Sequence, residues 1–272
     1  MATIPESQKL TPVGEGFGEK RFIGLEIETT RSENFFPKPE KESDWNLFHW
    51  CMTEGEKEHI KKTLDPNGNL IAMVDKDGDD IEIATQPFSY DTLNGSIRYD
   101  LLKKINLYCV ATDGSGTHIH ISKLPKDKQA LWKNLYWFET VFDKQFYAIF
   151  RRKSHWAISP RDVLKANIPR IGNKVSLKKA QEMNYPQHGA KGTIIVKRKN
   201  TYECRAGSSS TSPKEIIAWA MLFYNIVEFC NQSSIVGHRF EEVLPEGEYG
   251  ELLKTRLTGE QLRQIIPIDL YL

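Results

Sequence analysis

The chain has 272 residues, 39% of them apolar and 11% aromatic, enough for one large core or two modest ones. Lysine and arginine number 37 against 36 aspartate and glutamate, a formal net charge of +1, so the overall balance favours neither nucleic acid nor an acidic membrane as the main partner. Cys51, Cys109, Cys204 and Cys230 are scattered and form no C-x-x-C pair, which speaks against a zinc ribbon or disulfide scaffold and for a reducing compartment. Met1 to Lys9 lacks the apolar run of a signal peptide, and no stretch reaches the roughly 18 consecutive apolar residues of a membrane span. A cytoplasmic location without membrane contact is expected.

Residues 1–20 carry Gly14, Gly16 and Gly18 among prolines and charges and read as a flexible arm, since a dinucleotide fingerprint would need a strand before these glycines and a helix after them. Arg21 to Thr30 alternates apolar and acidic residues, which predicts a strand with Glu26 and Glu28 on one face. Such a face is either a solvated edge or a pair of carboxylates with a cation or a basic partner between them. Ser32 to Glu58, with Trp45, Phe48 and Trp50, reads as a long loop, followed by a short helix near Glu54 to Leu64.

Leu70 to Val74 and Ile81 to Thr85 read as two strands around an acidic turn. The turn resembles a calcium loop, but Gly78 comes too early and Gln86 stands where a bidentate Glu is needed, so Asp75 and Glu82 are the better ligand candidates. Tyr90 to Asn106 has helical spacing, and Leu107 to Ala111 reads as a short strand. It leads into Asp113 to Ser122, a glycine-rich turn feeding a strand. Side chains alternate there, so His118, His120 and Ser122 share a face, about 7 Å from one to the next, and Ile119 and Ile121 share the other. Two imidazoles so placed ligand a metal, grip phosphate, or are simply the satisfied histidines of a half-buried strand.

Lys126 to Arg152 reads as one long amphipathic helix whose stripe, Leu131, Leu135, Phe138, Phe142, Phe146 and Ile149, is core. Arg151, Arg152 and Lys153 suit its C-terminal dipole. Ser159 to Gly192 is loop-rich, with a short helix near Ser176 to Met183, and offers Arg161, Arg170, Lys174 and His188 as anion ligands. Thr193 to Arg205 is a predicted hairpin with a basic turn at Arg198, Lys199 and Asn200. Glu203 and Arg205 share a face of its second strand, Cys204 faces packing, and a buried ion pair is the plain reading. Pro213 to Asn231 is an apolar helix entered through Thr211, Ser212 and Pro213. After it come a polar loop, a helix near Thr258 to Ile266 and a short extended end.

Four strands thus carry acidic or imidazole groups at alternate positions. Together they predict a sheet with one face lined by oxygen and nitrogen ligands, suited to magnesium or manganese, with arginines for phosphate or carboxylate. In this order, Glu26-x-Glu28, the acidic strand Glu82-Ile-Ala-Thr, Gly114-Ser-Gly-x-His118-x-His120-x-Ser122 and Glu203-x-Arg205 ahead of an apolar helix, the chain resembles the glutamine synthetase and glutamate-cysteine ligase superfamily of carboxylate-amine ligases. It is most similar to the short amidoligases, often called COOH-NH2 ligases, many of which occur in bacteriophage genomes. The resemblance covers roughly Arg21 to Asn231, and each motif is weak taken singly.

The resemblance implies an α+β fold with a curved, mainly antiparallel sheet, a ligand-lined concave face and helices on the outer face. It makes residues 21–272 a single catalytic domain behind the arm of residues 1–20. It implies an ATP-dependent ligase with two or more divalent ions, Mg2+ or Mn2+, that joins a carboxylate to an amine through an acyl phosphate. Glu28, Asp75 and Glu82 would hold one ion, and Glu26, His118 and Glu203 the ion bridging the nucleotide phosphates. His120 and Ser122 would lie along ATP, Gly114 by the acceptor carboxylate, and Arg205 on that carboxylate or its phosphorylated form. The basic turn, Arg198 and Lys199, and Arg170 compete for the transferred phosphate. The substrates are read as small molecules or peptides, with nucleic acid entering only as a modified base; the protein is a candidate oligomer and, if viral, works in host cytoplasm. Two departures stand out. There is no room for the amino-terminal domain of full-length synthetases, which speaks against ammonia as nucleophile and against a large ring, and Asp75 replaces a longer Glu. A metal-dependent hydrolase or nuclease, or a non-catalytic protein stabilised by metal, could use the same Glu and His ligands.

Overall fold

Strict alternation builds the first strand. β1 (Phe22–Arg31) buries Ile23, Leu25, Ile27 and Thr29 to 2% exposure or less, so the intervening Glu26 and Glu28 fall on its other face. The computed structural model describes residues 20–31, 53–77, 80–93, 95–151 and 194–267. The chain divides into two compact units, Met1–Thr117 with Ser209–Ile216, and His118–Ser208 with Ile217–Leu272. The amino-terminal arm, the aromatic loop at Trp45 to Trp50 and the segment with Arg161, Arg170, Lys174 and His188 lie outside the described residues.

In the first unit α1 (Glu54–Leu64) starts at a capping box, in which the Thr53 hydroxyl accepts from the Glu56 N–H and the Glu56 carboxylate accepts from the Thr53 N–H. β2 (Ile71–Asp77) and β3 (Asp80–Thr85) pair antiparallel, β3 pairs antiparallel with β1, and the strand order is β2-β3-β1. The two-residue strands β4 (Phe88–Ser89) and β5 (Cys109–Val110) pair with the two ends of β1. The helix expected over Tyr90 to Asn106 is two helices, α2 (Tyr90–Leu93) and α3 (Ser96–Tyr108), and Leu93, Leu101, Leu102 and Ile105 are buried. The break falls at Gly95, which takes extended backbone as the cap of α3. α3 also runs further than expected, and Leu107, read as strand, is a helical residue 59% exposed.

The second unit carries most of β6 (Gly116–Ser122), then α4 (Leu131–Val141), α5 (Asp143–Phe150), β7 (Ile195–Lys197), β8 (Thr201–Ser208) and most of α6 (Pro213–Cys230). Its strands lie in the order β6-β8-β7. The single helix expected over Lys126 to Arg152 starts later, because Asp127 accepts the Leu124 N–H and the chain turns before Leu131. It also bends at Phe142 (φ −105°, ψ 25°), where Phe138, Phe142 and Phe240 meet edge to face or tilted with centroids 4.7 to 5.9 Å apart. Arg151 ends α5 in the left-handed region, φ 59°, and its N–H donates to Tyr147 O.

Trp219 and Phe223 of α6 are fully buried, and the Trp219 indole N–H donates to Ile149 O at 3.0 Å. Beyond α6, where a polar loop is expected, the chain forms a 3-10 turn (Phe240–Val243) and α7 (Gly247–Lys254) before α8 (Gly259–Arg263). Gly250 is required in α7: a Cβ there would lie 1.9 Å from Pro245 O. The fold class is α+β with antiparallel ladders, as expected. Among the described residues no helix is long and apolar enough to cross a membrane.

Candidate functional site

The first unit aligns three acidic residues. The registers Glu28↔Glu82 and Asp75↔Glu82 put one carboxylate on each of β1, β3 and β2, side by side across the sheet. Directly opposed residues have Cβ atoms about 4.5–5.5 Å apart, so Glu82 has an acidic neighbour on each side. Their three strands bury Ile27, Ile81, Ile83 and Val74 on the opposite face, which fixes the side the acids take. A row of hard oxygen donors suits Mg2+ or Mn2+, so the residues present fit the ion the resemblance implies. Glu28 is 8% exposed. Glu26 stands on the same face of β1, opposite Ala84 of β3.

Asp75 also has a basic partner that sequence reading missed. Lys57 Nζ, from α1, lies 3.0 Å from Asp75 Oδ1 and 2.9 Å from Glu54 Oε1. Burial alone would push the Asp75 carboxyl up, but the Lys57 hydrogen bond and charge and the Lys76 N–H outweigh it and hold it below the ordinary range. The helix that carries Lys57 was legible; the reach of Lys57 to β2 was not.

The glycine turn is pinned on both sides of Gly114. Ser115 Oγ donates to Asp80 Oδ2 at 2.5 Å, Thr112 Oγ1 bonds Ser115 Oγ, and Thr30 Oγ1 donates to Asp80 Oδ1 at 2.5 Å. The Thr112 N–H donates to Ser209 Oγ, which in turn donates to Glu28 O at 3.0 Å. Asp80, Thr112 and Ser209 are therefore positioning residues absent from the sequence reading. A Cβ built on Gly114 would meet no described atom within 4 Å.

In the second unit Glu203 is the centre. It sits in β8 at 1% exposure, and β8 pairs antiparallel with β7 through Val196↔Glu203. Cys204 and Ala206, at alternate positions, are fully buried on the other face, as expected for Cys204. Around the Glu203 carboxylate, His118 Nδ1 stands 3.6 Å from Oε1, Arg205 Nε 3.5 Å from Oε1, and Arg198 Nε bonds Oε2. His120 joins them: one of its ring nitrogens and one Glu203 oxygen are ligand atoms within 4.8 Å of each other, and its Nδ1 is 3.2 Å from Thr201 Oγ1. Burial pushes the Glu203 carboxyl up, but the Arg198 hydrogen bond, the two imidazoles and Arg205 overcome it and hold it below the usual carboxylate range. Glu203 is therefore ionised, and with imidazole nitrogen beside it the donor set fits a divalent ion. Ser122, two residues beyond His120, is half-buried on the same strand face, and Lys199 is exposed at the turn. Arg170 lies outside the described residues.

Two further groups hold the hairpin. Lys123 Nζ donates to the carbonyls of Arg198 and Lys199, closing the basic turn. Glu139, fully buried on α4, accepts the Ile195 N–H at 2.8 Å through Oε2, while Oε1 has no hydrogen-bond partner among the described residues. Burial raises the Glu139 carboxyl well above its ordinary value; Tyr136, pushed up to about 12 mainly by burial and then by Glu139, and the buried Cys204 thiol face it. A carboxyl that binds its proton more tightly in the folded chain contributes stability at low pH and loses it as pH rises from the ordinary 4.5 toward the raised value. Glu139→Gln keeps an acceptor for Ile195 and removes the titration. Its stability therefore matches wild type near pH 4 and gains on it as pH rises, by roughly 1.4 kcal/mol per pH unit across that window, with the melting temperature following. Thermal melts at pH 5 and pH 8 with an unchanged difference would contradict this.

No family model matches the sequence, and no curated protein does. Among solved structures the chain is similar to the ligase PafA, in its complex with the prokaryotic ubiquitin-like protein Pup, with 15% identity and a TM-score of 0.38 over 78% of this chain and 46% of that one. It is also similar to the glutamine synthetase of Plasmodium falciparum, with 13% identity and a TM-score of 0.35 over 80% of this chain and 52% of that one. The chain spans about half the length of these structures.

Proposed function

We propose that this chain is an ATP-dependent carboxylate-amine ligase that forms an amide through an acyl phosphate. The observation that carries the reading is the register Glu28↔Glu82↔Asp75, three carboxylates abreast on one sheet face, an arrangement that stability alone does not require. Glu203, ionised between imidazoles and arginines, supports it. In this reading Glu28, Asp75 and Glu82 hold one divalent ion, and Glu26, His118 and Glu203 are assigned to a second. Bound Mg2+ or Mn2+ supplies charge neutralisation for the phosphoryl group in transfer.

The chain's own groups do the rest. His120 and Ser122 lie along the nucleotide, and Arg198 and Lys199 at the basic turn meet its phosphates, with Arg170 the competing residue. Arg205, a planar fork, orients the acceptor carboxylate, whose oxygen attacks the terminal phosphorus of ATP to give an acyl phosphate and ADP. Gly114 is assigned to the acceptor carboxylate in this reading. An amine then attacks the acyl carbon, phosphate leaves, the nitrogen loses a proton, and an amide remains. The setting is cytoplasmic in this reading, and the chain is of the bacteriophage amidoligase type.

ADP release decides it. A ligase releases ADP and phosphate in equal amounts only when ATP, Mg2+, a carboxylate and an amine are all supplied, so a panel of amino acids, peptides and polyamines scored by coupled ADP assay is the test. A metal-dependent hydrolase would turn over without ATP, and that outcome would replace this reading.

A further inference from the structure

The strongest cation contact on Glu203 comes from a residue that the proposed function needs elsewhere. Arg198 Nε bonds Glu203 Oε2, the carboxylate oxygen not approached by His118 or Arg205, both of which face Oε1. A divalent ion and a guanidinium drawn to the same carboxylate repel each other and share its one negative charge, so Arg198 on Oε2 weakens the hold of Glu203 on an ion. The two arginines also differ in freedom. Arg205 is 22% exposed and lies within β8, whereas Arg198 is 44% exposed and stands at the turn.

The turn itself is held without the Arg198 side chain. The Arg198 N–H donates to Thr201 O at 2.9 Å, the Lys123 N–H donates to Asn200 O at 2.9 Å, and Lys123 Nζ bonds the Arg198 and Lys199 carbonyls. Only side-chain torsions therefore separate an Arg198 on Glu203 from an Arg198 turned outward, a change that leaves the hairpin in place.

We infer that Arg198 is a displaceable counter-ion, which holds Glu203 until a divalent ion takes the carboxylate and then turns to the phosphates of the nucleotide. This rests on the proposed function. It makes metal and polyphosphate binding positively coupled, because a phosphate that draws Arg198 away vacates Glu203 for the ion, and linkage requires the converse. Arg198 is thus a group that weakens metal binding in the nucleotide-free chain and strengthens it in the nucleotide-bound one.

Mn2+ titration of the full chain followed by electron paramagnetic resonance, with and without inorganic triphosphate, tests this without turnover. Wild type binds Mn2+ more tightly with triphosphate present. Arg198→Met binds Mn2+ alone about tenfold more tightly than wild type, from loss of one tethered cation, and shows little further gain from triphosphate. Arg198→Gln, which keeps a polar side chain at the turn, moves the same way. Equal or weaker Mn2+ binding by both variants overturns the inference while leaving the ligase reading intact, provided Glu203→Gln weakens wild-type binding. Mn2+ binding indifferent to Glu203→Gln overturns the metal assignment itself, and the inference with it.

Discussion

Glu203→Gln slows ADP release by on the order of 10²- to 10³-fold, the loss that follows when one charged group aimed at a transferred phosphoryl is neutralised. Gln keeps the shape of the side chain and an oxygen at its tip, so β8 and its pairing with β7 stay as they are. What disappears is the negative charge on which His118, Arg198 and Arg205 converge. Breaking a fully buried ion pair typically costs 3–5 kcal/mol, but Arg198 is 44% exposed and can turn to water, so the melting temperature falls by less than that range implies. The discriminating feature is the ratio of the two effects. A residue that only holds the hairpin would lose stability and activity together, whereas a ligand loses activity far out of proportion to stability. Arg205→Lys keeps the charge but not the planar fork, so it raises the KM for the acceptor carboxylate more than it lowers kcat. Glu203→Gln with wild-type ADP release would remove the assignment of Glu203 altogether.

Much of the framework was legible because it rests on local chemistry. Alternation in Phe22 to Thr30 and in Thr117 to Ser122 identifies two strands and the faces they bury, and the capped α1 begins and ends where its sequence says. Helix continuity was less legible. The stripe from Leu131 to Ile149 keeps its 3.6-residue period through Phe142, yet the helix bends there, where Phe142 packs against Phe138 and Phe240, contacts that local periodicity does not encode. α7 escaped notice because Gly247 and Gly250 look like loop residues, although Gly250 is required by the approach of Pro245 O.

At the site, the residue types could be read but their pairing could not. Nothing in sequence fixes β1, β3 and β2 in a register that sets Glu28, Glu82 and Asp75 in line; register comes from the whole hydrophobic pattern and from the bulge between Ile71 and Met73. Arg198 was read as a phosphate ligand and found on Glu203, five residues on across a turn. Lys57 and Asp80 serve through long-range contacts with no local signal.

Glu82 is the residue on which the carboxylate row depends, because it alone has an acidic neighbour on each side. In wild type, Mg2+ at about a hundred times its dissociation constant adds roughly 2.7 kcal/mol of stability by mass action, a melting shift of several degrees for a chain of this size. Glu82→Gln removes the central ligand and leaves Glu28 and Asp75 two strands apart, too far to close on one ion without it. The variant therefore loses most of the Mg2+-dependent shift, and its ADP release drops by a factor comparable to that of Glu203→Gln. Lys57→Met separates this from a general electrostatic effect. Removing the ammonium from Asp75 lowers stability slightly in metal-free buffer, since the pair is partly exposed, and enlarges the Mg2+ shift because the ion no longer competes with a tethered cation. Scanning calorimetry of the three proteins with and without Mg2+ reads both effects. If Glu82→Gln keeps the wild-type Mg2+ shift, the three carboxylates are a solvated sheet face and not a metal site.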